Sequence, residues 1–144
     1  MNGTRYVLTE FDPHATDGME EVRFCLETIF DHGYIPIIAH AERYRAIYDD
    51  PVHDVMWMKE CGCLVQINLF SVEQDTGWRK ELANAFLMHQ LVDLVGTDTH
   101  NLYYKSPEVS AGSMAIQKYG AEYAHKVSYG NAMELIRSKD QALR

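Results

Sequence analysis

The sequence predicts an α/β fold, in which parallel strands with flanking helices form part of a β/α barrel. Two observations support this: apolar strand-forming runs alternate with segments of helical periodicity, and polar side chains follow several of those runs directly. Alternating strands and helices are typical of right-handed crossovers between parallel strands. A complete barrel of this kind needs roughly 250 residues. The chain has 144, so we expect one domain, residues 1–144, that holds part of a barrel.

Four strands are expected from runs rich in β-branched, aromatic and aliphatic residues. The second run is wholly apolar, which is typical of a parallel strand buried on both faces. The third run alternates between apolar and polar residues and leads into a polar stretch, Ser71–Gly77, that precedes the next helix. The predicted strands are Arg5–Phe11, Tyr34–Ala39, Cys63–Phe70 and Leu91–Thr97.

Helices are expected where apolar residues recur at intervals of three and four positions. In the first helix, Asp17 is the predicted N-cap and Gly33 the predicted C-cap. The C-terminal tail is predicted to be helical in two or three pieces, with breaks near Gly120 and Gly130. The helices predicted before the tail are Met19–His32, Pro51–Glu60 and Trp78–His89.

Composition argues against several classes of function. A hydrophobic content of 47% and a charged content of 24% are ordinary for a globular domain. The net charge of −8 argues against a nucleic-acid partner, because such affinity comes mainly from lysine and arginine. No apolar run approaches the roughly 20 residues of a membrane span, and residues 1–5 lead into no signal-peptide core. We therefore expect a cytoplasmic protein with no membrane span.

The three cysteines, Cys25, Cys61 and Cys63, are expected to be reduced thiols. Cys61 and Cys63 are separated by one residue, whereas redox and zinc motifs have two residues between the cysteines. Cys63 also opens an apolar strand without a phosphate-binding loop beside it. Burial in the core is therefore favoured over a role as a nucleophile.

Glu10, His40, Asp98 and His100 lie within or just after the ends of predicted strands. Because the carboxyl ends of parallel strands share one edge, we expect these side chains to converge there. A mixed set of carboxylates and imidazoles suits manganese, iron or zinc. Carboxylates can also bridge two ions, and paired ions commonly hydrolyse phosphate esters. The sequence therefore predicts a metal centre at this edge.

Arg43 follows His40 by three residues and is expected to reach the same edge. A planar guanidinium can bind two phosphate oxygens and stabilise the negative charge that builds on a transferring phosphoryl group. A lysine does this less well. Arg43 is therefore the candidate catalytic residue.

Each candidate also has a simpler interpretation. Any one histidine is more often a surface or capping residue than a metal ligand, with a prior for ligation of roughly one in ten. Glu10 alone is weak support, because a carboxylate after a strand often caps the next turn. Glu42 is interpreted as an ion-pair partner of Arg43 or Arg45. The other five histidines are interpreted as non-ligating: His14, His32, His53, His89 and His125.

Four segments resemble successive blocks of the manganese-dependent protein tyrosine phosphatases of the PHP (polymerase and histidinol phosphatase) superfamily. These are the bacterial enzymes encoded with capsule and exopolysaccharide genes. The blocks occur in the family's order and span nearly the whole chain. The resemblance implies a distorted PHP-type barrel, of which this chain is the C-terminal part. The segments are Arg5–Phe11, Gly33–Tyr44, Cys61–Asn68 and Gly96–Asn101.

The resemblance also implies roles for individual residues. Glu10, His40, Asp98 and His100 correspond to ligands of a cluster of up to three ions, with Mn²⁺ favoured over Fe or Zn, and Arg43 corresponds to the phosphate-binding arginine. The implied reaction is hydrolysis of phosphotyrosine by metal-activated water, without a cysteine nucleophile. The implied partner is a phosphotyrosine protein, a bacterial tyrosine autokinase whose tyrosine-rich tail controls polysaccharide export.

The family opens with a His-x-His strand, a further histidine and a glutamate, and the 144 residues contain no matching segment. We therefore expect an incomplete metal cluster, weakened activity and an exposed barrel edge that favours a homo-oligomer. One alternative is a non-catalytic remnant or binding module that self-associates or binds a tyrosine-kinase tail. Another is a PHP hydrolase acting on histidinol phosphate or a nucleic-acid end, against which the segment Ala39–Tyr44 argues.

Overall fold

The computed structural model describes residues 3–12, 18–47, 49–100 and 110–138. Within these ranges strands and helices alternate along the chain, which confirms the α/β prediction. Two sequence predictions concern residues outside the described ranges, namely Asp17 as an N-cap and His14 as a non-ligating histidine. At the other end of the first helix the C-cap is His32 rather than the predicted Gly33, which follows it with a φ of 77°. Glycine commonly takes this conformation directly after a C-cap.

Four short strands form one parallel sheet. Their order in the sheet follows their order in the chain, so each crossover joins neighbouring strands. All four predicted strands are present, and each is shorter than its apolar run. The strands are β1 (Tyr6–Thr9), β2 (Ile35–Ile38), β3 (Leu64–Asn68) and β4 (Leu94–Gly96).

Seven α-helices occur in the described part of the chain, together with short 3₁₀ and π turns. None of these helices is long and apolar enough to cross a bilayer. The α-helices are α1 (Met19–Asp31), α2 (Pro51–Glu60), α3 (Leu69–Glu73), α4 (Trp78–Met88), α5 (Ser110–Ile116), α6 (Ala121–His125) and α7 (Asn131–Arg137). The 3₁₀ turns are Ala41–Arg43, Arg45–Ile47 and Gln117–Tyr119, and the π turn is Lys126–Gly130.

The main hydrophobic core lies between one face of the sheet and the helices that include α1, α2 and α4. Ile38, Val65 and Ile67 belong to this core and are fully buried. Because side chains alternate along a strand, Ile37 and Gln66 point to the opposite face. There they line a pocket of about 410 Å³, together with residues of α7.

The end of the third strand differs from its prediction. β3 ends at Asn68, and helix α3 begins at the next residue, within the segment where a strand and then a polar stretch were expected. Leu69 and Val72 are buried and stand one helical turn apart, so a short helix packs both against the core. Tertiary packing here outweighs the alternation that predicted a longer strand.

The C-terminal tail confirms one of its two predicted breaks. Gly120 has a φ of 111°, which ends the preceding 3₁₀ turn. Gly130 was wrongly predicted as a break, because its φ of −56° is helical and the π turn runs through it into α7. A wide turn keeps the backbone helical, so the glycine interrupts nothing.

The cysteines are free thiols, as predicted. Cys63 is buried in the core, and this burial raises the pKa of its thiol to about 12. Cys61 is exposed at the surface. Since the thiolate is the reactive form, neither the pKa nor the position of Cys63 suits a nucleophile.

We expect a disulfide reagent at about pH 8 to label Cys61 rapidly and Cys63 only when the chain unfolds, because burial keeps the latter protonated and inaccessible. The rate of thiol release, followed by absorbance and assigned by mass spectrometry, measures this. Cys61→Ser removes the fast phase, whereas the matched variant Cys63→Ser leaves it unchanged. Equal labelling rates in the folded chain would contradict the assignment.

Candidate metal centre

His40 is held at the carboxyl end of β2 by a tight, buried turn. Its backbone is in the left-handed region, with a φ of 35°, and a 3₁₀ turn follows directly. Tyr44 closes this turn: its hydroxyl donates to the carbonyl of Ala39 at 2.7 Å and accepts from the amide of Phe11 at 3.2 Å. The Tyr44 side chain therefore ties the ends of β1 and β2 together beneath the His40 ring.

Glu10 and His40 form the first pair of candidate ligands. Nε2 of His40 lies 2.8 Å from Oε1 of Glu10. The His40 side chain is 7% exposed and that of Glu10 is 64% exposed, so the pair runs from the interior to solvent. Nδ1 of His40 is buried without a hydrogen-bond partner among the described residues. The imidazole thus has a nitrogen that no described protein group satisfies.

Asp98 and His100 form the second pair, beyond the end of β4. Nε2 of His100 lies 3.2 Å from Oδ1 of Asp98, and Nη1 of Arg43 lies 2.9 Å from the other carboxylate oxygen. Asp98 also has a left-handed backbone, with a φ of 52°. Arg43 comes from the turn after β2, so this ion pair links the carboxyl end of β2 to the segment after β4.

The five predicted site residues therefore lie at one edge of the sheet as two pairs linked by Arg43. Among the residues that the structure describes, no group of three histidine, cysteine or acidic side chains is placed to hold a metal ion. The donor chemistry of each pair, a carboxylate with an imidazole, nevertheless suits a first-row metal.

Glu42 was interpreted as a partner of a neighbouring arginine, and this interpretation is wrong. Its side chain is fully buried. Oε1 accepts hydrogen bonds from the Ser71 hydroxyl at 2.7 Å and from the backbone amide of Asn68 at 3.2 Å. Burial raises the pKa of Glu42 to about 7, against the opposing effect of these bonds. Glu42 thus anchors the turn after β2 to the junction of β3 and α3.

Sequence reasoning missed four residues that shape the site: Tyr44, Glu42, Gln66 and Asn68. The two amides carried a usable signal, because they alternate at the end of an otherwise apolar strand and so share its polar face. Glu42 and Tyr44 carried none, since a polar residue in a loop is normally exposed.

The fold and the site define the class of this protein: an α/β protein with paired carboxylates and imidazoles at the carboxyl edge of a parallel sheet. More narrowly, the chain belongs to the CpsB/CapC family of capsular polysaccharide synthesis, whose family model matches residues 1–137. This confirms the resemblance drawn from the four segments.

Curated relatives extend this result. The chain is 32% identical to the tyrosine-protein phosphatase CpsB of Streptococcus pneumoniae in an alignment of 143 positions that covers 94% of the chain and 58% of CpsB. It is 28% identical to the tyrosine-protein phosphatase YwqE of Bacillus subtilis, over 96% of the chain and 54% of YwqE. The chain therefore spans rather more than half the length of the relatives it matches.

A solved structure shows the same fold. It comes from crystal structures of YwqE from Bacillus subtilis and CpsB from Streptococcus pneumoniae, described as metal-dependent tyrosine phosphatases, and superposes with a TM-score of 0.71. The match covers 98% of this chain and 53% of the other, at 24% identity. This confirms the predicted fold, a part of a PHP-type β/α barrel.

Replacing Tyr44 by phenylalanine is expected to lower the free energy of unfolding by about 1–2 kcal/mol, because it removes a buried hydroxyl bonded to Ala39 and Phe11. Urea unfolding followed by circular dichroism measures this. The matched control is Tyr34→Phe, whose ring is half exposed. An equal effect of both variants would show that the Tyr44 hydroxyl is not a structural clamp.

Proposed function

We propose that this chain is part of a metal-dependent protein tyrosine phosphatase linked to capsule and exopolysaccharide regulation. The observation that supports this most is the arrangement at the strand edge, where Arg43 joins a pair from β1 and β2 to a pair beyond β4. The reaction class comes from the relatives CpsB and YwqE, which are tyrosine-protein phosphatases. Membership of a capsule-synthesis family argues against the alternatives of histidinol phosphate and nucleic-acid ends.

The proposed ligands are Glu10, His40, Asp98 and His100, and the proposed metal is Mn²⁺, with Fe or Zn as alternatives. A bound divalent ion supplies an activated water that acts as the nucleophile near neutral pH. Carboxylates provide hard oxygen donors and imidazoles provide nitrogen donors, which suits these metals. The two pairs each offer two such side chains, consistent with a weakened or incomplete cluster.

Arg43 is the proposed phosphate-binding residue. Its guanidinium side chain is 20% exposed and pairs with Asp98 through Nη1. A guanidinium in this position can donate to phosphate oxygens and offset the charge that develops on them. The adjacent carboxylate orients the planar group, so that its remaining donors keep a fixed direction.

The proposed substrate is a phosphotyrosine protein in the cytoplasm, a bacterial tyrosine autokinase in particular. A phosphotyrosine side chain carries a dianionic phosphate at the end of a long aromatic group. The candidate ligands fit this substrate, because the partly exposed side chains of Glu10, Arg43 and His100 lie at the rim of the sheet.

A second candidate function is a non-catalytic binding module. One observation favours it: the part of the chain that the structure describes holds two ligand pairs and no group of three. Metal affinity depends on a full ligand set, so two-ligand sites bind weakly. Under this hypothesis the same edge binds a phosphotyrosine tail through Arg43 without hydrolysing it.

Hydrolysis of a phosphotyrosine peptide, with and without manganese, separates the two functions. We expect manganese-dependent release of phosphate that Asp98→Ala abolishes and that Arg43→Ala lowers by about 10²- to 10³-fold. Asp31→Asn, an exposed carboxylate on α1, is the matched control and keeps full activity. A folded chain that releases no phosphate yet binds the peptide would support the binding module instead.

We further propose that the chain self-associates through the β1 edge of its sheet. Among the strands that the structure describes, β1 is first in the sheet order and has a single neighbour, β2. Leu8 on that strand is 55% exposed and lines the pocket on the face of the sheet that bears Ile37 and Gln66. An edge strand with exposed apolar surface is a template for pairing with a second copy.

Light scattering at rising protein concentration is expected to show a homo-oligomer. Leu8→Lys should shift the chain toward monomer, because a charge on an edge strand opposes strand pairing. Phe24→Lys, at an exposed apolar position on α1, is the matched control and should leave the mass unchanged. A wild-type chain that stays monomeric at high concentration would contradict the proposal.

A further inference from the structure

The side chains of Gln66 and Asn68 form a relay between the two ligand pairs. The backbone amide of His40 donates to Oε1 of Gln66 at 2.7 Å, and Nε2 of Gln66 donates to Oδ1 of Asn68 at 3.1 Å. Nδ2 of Asn68 then donates to Oδ2 of Asp98 at 3.3 Å. Three hydrogen bonds in series thus connect the backbone of one candidate ligand to the carboxylate of another.

The orientation of both amides in this relay follows from chemistry at its two ends. A backbone N–H can only donate, so the Gln66 atom facing His40 is the oxygen. An ionised carboxylate can only accept, so the Asn68 atom facing Asp98 is the nitrogen. With both ends fixed, the central bond between the amides has one possible direction, and it is the direction observed.

The relay closes into a ring through Arg43. Its guanidinium bonds to the same Asp98 oxygen that accepts from Asn68, and its backbone amide donates to the carbonyl of His40 at 2.9 Å. The backbone amide of Asn68 also donates to Oε1 of Glu42, which lies in the turn after β2. Asn68 is 1% exposed, so the centre of this ring lies in the protein interior.

We propose that Asn68, acting through Gln66, is a positioning residue that holds the Glu10–His40 pair and the Asp98–His100 pair in register. This rests on the proposed function, in which both pairs are metal ligands. His40 and Asp98 each have a left-handed backbone, which is costly for residues other than glycine and relaxes unless the surroundings hold it. The relay binds directly to both of these residues.

Metal affinity of the full chain tests the positioning role. Mn²⁺ binding, measured by electron paramagnetic resonance of the free ion, is expected to weaken by about 10- to 100-fold in Asn68→Ala, the usual effect of losing a partner that orients a ligand. Asn84→Ala is the matched control. Asn84 is partly buried, and its amide donates to the carbonyls of Val72 and Lys80, away from the site. It should lose stability without losing affinity.

Hydrogen exchange on the metal-free chain tests the relay itself. Without Asn68, Nε2 of Gln66 keeps its bond to the Ile67 carbonyl at 2.6 Å and loses its side-chain partner. We therefore expect the backbone amide of His40 to exchange several-fold faster in Asn68→Ala and at the wild-type rate in Asn84→Ala. Gln66→Met provides a second variant, because that side chain is only partly buried and its replacement keeps the length. It should weaken Mn²⁺ binding in the same way.

The outcomes separate this proposal from the proposed function. Equal losses of Mn²⁺ affinity in the Asn68 and Asn84 variants, or unchanged exchange at His40, would overturn the positioning role. A wild-type chain that binds no Mn²⁺ would remove the metal-ligand function, and with it the role at a metal centre, even where exchange shows that the hydrogen-bond relay exists.

Discussion

Burial of the turn from Ala39 to Tyr44 is the constraint on which the rest of the structure depends. The turn places a carboxylate and a phenol hydroxyl in the interior, and buried polar groups are costly unless they are hydrogen-bonded. Oε1 of Glu42 finds donors where β3 meets α3, while its Oε2 has no hydrogen-bond partner among the described residues, and Tyr44 finds partners at the ends of β1 and β2. Satisfying these groups aligns the carboxyl ends of three strands. The geometry of the candidate site therefore follows from the hydrogen bonds that these two buried side chains require.

Much of the fold and part of the site could be predicted from the sequence. Apolar runs gave all four strands of the described sheet, because short runs rich in β-branched and aliphatic residues, alternating with segments of helical spacing, favour strands. The ligand candidates followed from their places after strands. The alternation along β3 marks Gln66 and Asn68 as polar residues of one face, but it does not identify their partners. Glu42 could not be predicted, since its role comes from a contact with Asn68, 26 residues further along the chain. α3 was missed for the same reason: packing of Leu69 and Val72 decides its conformation.

Charge gives a physical reason for the arrangement around Arg43. A net charge of −8 repels a phosphate dianion, so any phosphate site on this chain needs a local positive potential. The strand edge bears the carboxylates of Glu10 and Asp98, and Arg43 offsets only part of their charge. Bound divalent ions would invert the sign of the potential there. Attraction of a phosphate group to this edge would therefore depend on the binding of metal ions there.

The left-handed backbones of His40 and Asp98 have a consequence for how such a sequence changes over time. This conformation costs about 1–2 kcal/mol for an L-residue, and glycine would relieve the cost at either position. Stability alone thus favours glycine at two positions where the proposed metal centre requires histidine and aspartate. A chain released from its function would drift toward glycine there. Under the proposed function, histidine and aspartate are therefore kept at these two positions at a cost in stability.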